Sequence, residues 1–176
     1  SIFCLIGKAS QLLCWSREHR FCGQCGREMH AHIEEQAMQC AFCNTMIYPR
    51  ISPCIIVLVT RGEKFLLARN TNFPRSMFST LAGFIEVGES VEEAVEREVK
   101  EEVGISITDI SYFGSQPWPF PSQLMLGFYA QYLSGDISCN PDEIEEAYWF
   151  SKQTLPLIPP TSSIAGRLII TFVNKN

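Results

Sequence analysis

Glutamates crowd one stretch of the sequence, at spacings that would bring two of them onto one side of a helix. Four valines recur at helical spacing there and predict its buried stripe: Val91, Val95, Val99 and Val103. At about 100° per residue, Glu102 falls roughly 20° from Val95 around the helix axis, and Glu98 roughly 60° from it. A carboxylate against a core is costly unless cations or hydrogen bonds compensate it. Because stacked carboxylates offer the hard oxygen ligands that Mg²⁺ and Mn²⁺ prefer, Glu98 and Glu102 are candidate metal ligands.

The residues around these glutamates predict where the helix begins and ends. Ser90 followed by Glu93 is a capping box, and Gly104 is placed to end the helix. Glu101 lies further round the helix and flanks the two candidate ligands, while Arg97 could brace Glu89 in the preceding loop. An ordinary solvated acidic face remains the alternative, and it fits three other glutamates: Glu92, Glu93 and Glu96.

Four of the eight cysteines form two matched pairs, Cys22–Cys25 and Cys40–Cys43, each with two residues between its members. Two such pairs predict one four-coordinate zinc site. Local disulfides or a redox-active pair are the alternatives. Four thiolates close the coordination sphere, so the zinc is structural. The nearby histidines, which could be proposed as ligands, are therefore interpreted as surface or linker residues: His19, His30 and His32.

A proline-rich segment, Ser115 to Pro121, places Trp118 and Phe120 between alternating prolines. The prolines predict an extended and rigid backbone that could present an aromatic face to a heterocycle. An ordinary loop with a packed tryptophan is the alternative.

Composition fits a folded chain of 176 residues, with 46% hydrophobic and 19% charged residues. The apolar runs are too short to span a membrane. The net charge of −5 gives no footprint for non-specific nucleic-acid binding, although a specific RNA end is compatible with it. Cysteines without a secretory context favour a reducing compartment, which predicts a cytoplasmic protein.

The pattern of elements predicts a helical lead-in over residues 1–20, the cysteine module over 21–47 and an α/β domain with a mixed sheet over 48–176. A stiff Tyr48–Pro53 connector separates the last two. Within the domain, a strand–turn–strand hairpin covers residues 54–69, and the helix over 91–103 carries the glutamates. The other predicted elements are strands over 78–82, 107–115, 124–133 and 147–150 and a closing helix over 163–173.

The glutamate stretch resembles the Nudix box, Gly-x5-Glu-x7-Arg-Glu-hydrophobic-x-Glu-Glu-x-Gly-hydrophobic. All specified positions are matched: Gly83, Glu89, Arg97, Glu98, Val99, Glu101, Glu102, Gly104 and Ile105. Together with the four cysteines and the Ser115–Pro121 run, the chain resembles the NADH pyrophosphatase subfamily, which also removes NAD caps from RNA. The resemblance implies a Nudix α/β/α sandwich preceded by a small zinc ribbon, and a homodimer.

The resemblance also implies roles for individual residues. Glu98, Glu101 and Glu102 would be catalytic, and a catalytic Mg²⁺ or Mn²⁺ would be held by Glu98, Glu102, Glu143 and the carbonyl of Ala82. Phe84 and Trp118 would frame the nicotinamide of NAD(H). Further residues would contact substrate: Tyr48, Gln116, Ser122, Glu143, Ala165 and Glu35. The order Ser122-Gln123 departs from the family pattern, in which one residue separates the final proline from a serine.

The implied reaction is hydrolysis of the pyrophosphate of NAD(H) to nicotinamide mononucleotide and AMP, with NAD-capped RNA as a further substrate. A hydrolase for ADP-ribose or another nucleoside diphosphate derivative is one rival. A zinc-ribbon interaction module with a binding-only Nudix domain is the other. The intact Glu98, Glu101 and Glu102 argue against the second.

Overall fold

A computed structural model describes residues 2–71 and 76–175, with the side chain of Phe3 outside the description. The chain divides into two compact units: residues up to Ser52 together with Pro117–Gln123, and Pro53–Gln116 together with Leu124 onward. The segment Pro117–Gln123 lies within the range that the sequence assigns to the α/β domain, yet it packs with the first unit. In the described ranges, no helix is both long and apolar enough to cross a membrane.

The first unit begins with a helix and continues into the cysteine module. Helix α1 covers Ile2–Glu18, which confirms the predicted helical lead-in. A small antiparallel sheet follows, in the order β1-β2-β3, with strands at His30–Ala31, Met38–Gln39 and Met46–Ile47. The buried Pro119 returns to this unit, and its ring lies where a side chain on Gly7 of α1 would collide with it.

A six-stranded sheet forms the centre of the second unit, in the order β7-β8-β4-β5-β9, with β6 paired to β4. Its strands are β4 Ser52–Arg61, β5 Lys64–Asn70, β6 Leu81–Phe84, β7 Ser106–Trp118, β8 Gln123–Ser134 and β9 Ile144–Phe150. Helix α2 covers Val91–Val103 and α3 covers Ile164–Lys175. The hairpin, α2, the later strands and the closing helix are confirmed, with small shifts at their ends.

Both faces of the sheet are covered by helices. Ile55, Val57 and Val59 pack with the valine stripe of α2, whereas Ile56 and Leu58 pack with α3. Because β4 is buried on both faces, its sequence reads as a continuous apolar run rather than as an alternation. The α/β/α layering confirms the predicted fold class.

The third predicted strand was placed too early, over residues 78–82. Among residues 76–80, the structure describes only isolated bridges, Met77 with Leu157 and Ser79 with Ala68. A regular ladder with β4 begins at Leu81, opposite Val57, and ends at Phe84, opposite Cys54. This pairing places Ala82 and Gly83 beside the middle of the most buried strand.

Candidate metal and catalytic site

Helix α2 has both of the predicted caps. Ser90 accepts a hydrogen bond from the Glu93 backbone N–H, and the Glu93 carboxylate accepts one from the Ser90 N–H at 2.8 Å. Gly104 ends the helix at φ 75°, in the left-handed region that glycine adopts without steric cost. The caps fix the register of the helix and therefore fix which glutamates face the sheet.

Glu98 and Glu102 are buried, as predicted, with only 8% and 4% of their surface exposed. Burial raises the pKa of Glu98, although the neighbouring Arg97 opposes the shift. Burial also raises the pKa of Glu102 to about 8, and the negative charges of Glu98 and Glu143 add to that shift. Two carboxylates in one desolvated place repel each other, which favours a cation between or beside them.

The absence of a side chain at Gly83 makes room for Glu98. A β-carbon at residue 83 would lie 1.9 Å from the Glu98 carboxyl carbon and 2.0 and 2.2 Å from its two oxygens. Any other residue would therefore displace the carboxylate. The sequence matched Gly83 to the motif, but the reason for a glycine there is visible only in the close approach of β6 to α2.

Arg97 forms ion pairs with three glutamates: Glu89, Glu98 and Glu101. Its guanidinium donates to Glu89 at 2.7 and 2.9 Å, to Glu98 at 2.9 Å and to Glu101 at 3.0 Å. It also donates to the backbone carbonyl of Phe84 at 2.9 Å. The predicted contact between Arg97 and Glu89 is confirmed. Through Glu89 and Phe84, Arg97 binds both ends of the loop between β6 and α2.

Glu102 provides the test of whether a divalent cation fits. Its Oε2 is buried and has no hydrogen-bond partner among the residues that the structure describes, while the backbone of Ala82 supports the carboxylate. A buried carboxylate oxygen without a partner is costly unless a cation coordinates it. Oxygen donors of this kind fit Mg²⁺ or Mn²⁺.

The two other predicted metal ligands, Glu143 and Ala82, and the predicted catalytic Glu101 are more exposed than Glu98 and Glu102. Glu143, exposed at the start of β9, is close enough for its charge to act on both Glu98 and Glu102. Ala82 is exposed on β6, and Glu101 is more than half exposed on α2. Within the described ranges, the cysteine tetrad alone brings three or more potential ligand atoms within 4.8 Å of one another.

The four predicted zinc ligands converge in the first unit. The ligand sulfurs of Cys22, Cys25, Cys40 and Cys43 all lie within 4.8 Å of one another. Cys22 and Cys43 are 3.5 Å apart, and Cys25 and Cys40 are 3.6 Å apart. Zinc–sulfur bonds of about 2.3 Å in a tetrahedron put sulfurs roughly 3.8 Å apart, so the tetrad fits one structural zinc. None of the three histidines is part of this cluster.

Four of the predicted substrate contacts lie in the first unit: Glu35, Tyr48, Trp118 and Ser122. The Tyr48 hydroxyl donates to Glu35 at 2.6 Å, so these two residues are brought together. Trp118 is half-buried and meets Phe120 edge to face at 5.4 Å between ring centroids. The extended segment was predicted to reach Pro121, but the strand ends at Trp118 and a turn follows, because this part of the chain reverses into β8. Ser122 lies in that turn.

Gln116, Ala165 and Phe84 belong to the second unit and differ in exposure. The Gln116 amide donates to the Ser162 carbonyl at 2.8 Å and accepts from the Ile164 N–H at 2.6 Å, so it caps α3. Ala165 is buried in the core on the α3 face of the sheet. Phe84, at the end of β6, is 53% exposed and is available to a ligand.

The sequence did not predict one buried charged residue. Arg69 is 7% exposed and pairs with Glu145 and Glu146 across the β5–β9 ladder. Two features of the sequence could have predicted this ion pair. Arg69 ends the apolar run of β5, and two adjacent glutamates occur in the later strand β9.

Two family comparisons cover most of the chain. Residues 49–172 match the NUDIX domain, and residues 17–48 match the NADH pyrophosphatase zinc ribbon domain. A protein of Pseudomonas aeruginosa (strain LESB58) named NAD-capped RNA hydrolase NudC is 55% identical over 173 residues, which are 98% of this chain and 62% of the relative. A relative of the same name from Pseudomonas fluorescens (strain Pf0-1) is 52% identical over 175 residues, 99% of this chain and 63% of that protein. The chain therefore spans about three fifths of the length of these curated relatives.

Solved structures share the fold. The crystal structure of a NUDIX hydrolase from Nitrosomonas europaea gives a TM-score of 0.68 at 26% identity, over 88% of both chains. A MutT NUDIX hydrolase from Burkholderia pseudomallei gives a TM-score of 0.58 at 22% identity, over 70% of this chain and 98% of that one. The second likeness shows the fold alone.

Proposed function

Since the chain belongs to the Nudix family, we propose that it hydrolyses the pyrophosphate of NAD(H) and removes NAD caps from RNA 5′ ends. The observation that carries the hydrolase assignment is the buried pair Glu98 and Glu102 beside Gly83, with an unpartnered carboxylate oxygen on Glu102. The zinc ribbon match and the relatives named NAD-capped RNA hydrolase support NAD as the nucleotide.

We propose Mg²⁺ or Mn²⁺ as the catalytic ion, held by Glu98, Glu102, Glu143 and the carbonyl of Ala82. Once bound, the ion would neutralise charge on the pyrophosphate oxygens and lower the pKa of a water. Arg97 holds Glu98 and Glu101 in fixed positions from one side. Glu101 is more than half exposed, so its carboxylate can orient or deprotonate the attacking water.

The bond that breaks is the phosphoanhydride between the two halves of the dinucleotide. Water adds to one phosphorus, and the phosphate of the other half leaves with the bonding electron pair. NADH and water then give reduced nicotinamide mononucleotide and AMP. A NAD-capped RNA gives nicotinamide mononucleotide and an RNA with a 5′-monophosphate.

The substrate contacts are proposed residue by residue. Phe84 and Trp118 are the proposed nicotinamide contacts, because one is half exposed at a strand end and the other is supported by neighbouring prolines. The paired Tyr48 and Glu35 offer a hydroxyl and a carboxylate to a ribose or an amide. Further contacts are proposed from the family resemblance: Gln116, Ser122 and Ala165. Ser122 lies in a turn and Ala165 is buried. Each of them can therefore offer a ligand mainly backbone atoms and a small side-chain surface.

The assembly and location are also proposals. We propose a homodimer, on the family resemblance, and a cytoplasmic location, because a zinc-binding thiolate tetrad persists in a reducing compartment. Sedimentation of the zinc-loaded protein tests the dimer, with a single species of about 40 kDa expected from two chains of 19.9 kDa.

A substrate panel tests the proposed function. The protein is incubated with NADH, ADP-ribose and an NAD-capped RNA, with and without Mn²⁺, and the products are separated by chromatography. Mononucleotide and AMP from NADH, formed only with the metal, are expected. Faster cleavage of ADP-ribose than of NADH would favour a different Nudix substrate, and no cleavage of any of them would favour a binding domain.

A further inference from the structure

Arg69 is a buried charge at the point where the ladder between β5 and β9 becomes irregular. Its Nε donates to Glu146 Oε1 at 2.8 Å, its Nη2 lies 2.8 Å from the same oxygen, and its Nη1 pairs with Glu145. The register shifts directly after it, between Arg69 and Asn70. A guanidinium fork fixes two partners at once, so it holds the bulged start of β9 in one conformation.

The two residues that follow Arg69 bind the start of β9 and the residue before it. The Thr71 N–H donates to the Glu143 carbonyl at 3.2 Å, and Asn70 pairs with Ile144. Glu143 is thereby attached to the end of β5 through Thr71, two residues after Arg69.

A second set of bonds ties Glu143 to helix α2. The Glu143 N–H donates to the Asn140 carbonyl at 3.1 Å, and the Asn140 N–H donates to the backbone carbonyl of Glu102 at 2.9 Å. The backbone of Glu143 is therefore held on one side by β5 and on the other by the last turn of α2. The first attachment lies at the end of the β5–β9 ladder, directly after the register shift beside the Arg69 fork.

We propose that Arg69 is a positioning residue that orients Glu143 toward Glu98 and Glu102. The inference rests on the proposed function only in taking Glu143 as a third carboxylate of the metal site. Without the fork, the adjacent carboxylates of Glu145 and Glu146 repel each other, and the bulge that sets the direction of Glu143 relaxes. A lysine keeps the charge but loses the two-pronged contact.

Metal binding, measured without substrate, tests the inference. Free Mn²⁺ is quantified by its electron paramagnetic resonance signal in titrations of the zinc-loaded wild type, Arg69→Lys, Glu143→Gln and the double variant. Residues that orient metal ligands typically contribute 10–100-fold in affinity. We expect Arg69→Lys to weaken Mn²⁺ binding on the order of tenfold, and to weaken it no further in the Glu143→Gln background. Arg61→Lys, at the exposed end of β4, is the matched control and should bind like the wild type.

Two results would overturn the inference. One is wild-type Mn²⁺ affinity in Arg69→Lys, and the other is an equal loss with and without Glu143, which a general effect on folding would give. Thermal unfolding and zinc content show whether Arg69→Lys is folded. If it is not, Glu146→Gln is titrated in its place, and the same loss of Mn²⁺ affinity is expected. NADH hydrolysis is assayed separately. A wild type that binds Mn²⁺ but leaves NADH intact contradicts the proposed function and leaves this inference standing.

Discussion

At the scale of single residues, the site depends on one missing side chain and two buried carboxylates. The carboxylate of Glu98 occupies the space that any side chain on Gly83 would need. The spacing of the valines was sufficient to predict that Glu98 and Glu102 face the core. The reason for Gly83 was not predictable, because it depends on the position of β6, which begins three residues later than predicted.

The steric argument predicts that Gly83→Ala impairs catalysis severely. The new methyl group would displace the Glu98 carboxylate, and a shift of about 1 Å at a reacting site can cost on the order of 10²-fold in rate. Steady-state hydrolysis of NADH measures the loss. Gly114→Ala is the matched control, since a methyl group there would meet no atom within 4 Å. Equal rates for the two variants would mean that Glu98 can move without consequence.

At the scale of elements, helix α2 shows how much the sequence can specify. Its first and last residues were predicted correctly because a capping box and a left-handed glycine are local signals. Strand β6 and the segment after Trp118 were placed less well. Their conformations depend on long-range pairing with β4 and on packing against Gly7, which no local pattern encodes.

The cap of α2 gives a prediction on stability. Ser90→Ala removes the acceptor for the Glu93 N–H and should lower the free energy of unfolding by about 1 kcal/mol. Urea unfolding of the zinc-loaded protein measures the difference. Ser90→Asp retains an acceptor and should stay close to the wild type, so an equal loss in both variants would contradict the capping role.

The zinc ribbon gives a second prediction at this scale. Cys40→Ser removes a buried ligand and should abolish the single bound zinc, with partial unfolding of the ribbon, because zinc binding and folding are coupled in such modules. Elemental analysis and limited proteolysis measure the two effects. Cys14→Ser, on the exposed side of α1, should retain one zinc per chain. Wild-type protein purified without chelator and lacking zinc would contradict the assignment.

At the scale of the whole molecule, selectivity must come from groups that contact the part of the substrate beyond the pyrophosphate. Phe84→Ala and Trp118→Ala should each reduce kcat/KM for NADH more than for ADP-ribose, which lacks the nicotinamide. Stacking of a base on an aromatic ring contributes about 1–3 kcal/mol, so roughly 5- to 150-fold is expected. Equal losses on both substrates would show that these rings support the fold or contact the adenine.

The central claim is that the carboxylates of α2 catalyse metal-dependent cleavage of NAD(H), and Glu102→Gln tests it most directly. The substitution keeps the shape of the side chain and removes the negative charge of its carboxylate. The Oε2 atom of that carboxylate has no hydrogen-bond partner among the described residues. AMP release from NADH is measured at saturating Mn²⁺ for the wild type, for Glu102→Gln and for Glu92→Gln, a control on the exposed face of the same helix. The account predicts a loss on the order of 10²-fold or more for Glu102→Gln and near wild-type rates for Glu92→Gln. A folded, zinc-loaded Glu102→Gln protein with a wild-type kcat would contradict it.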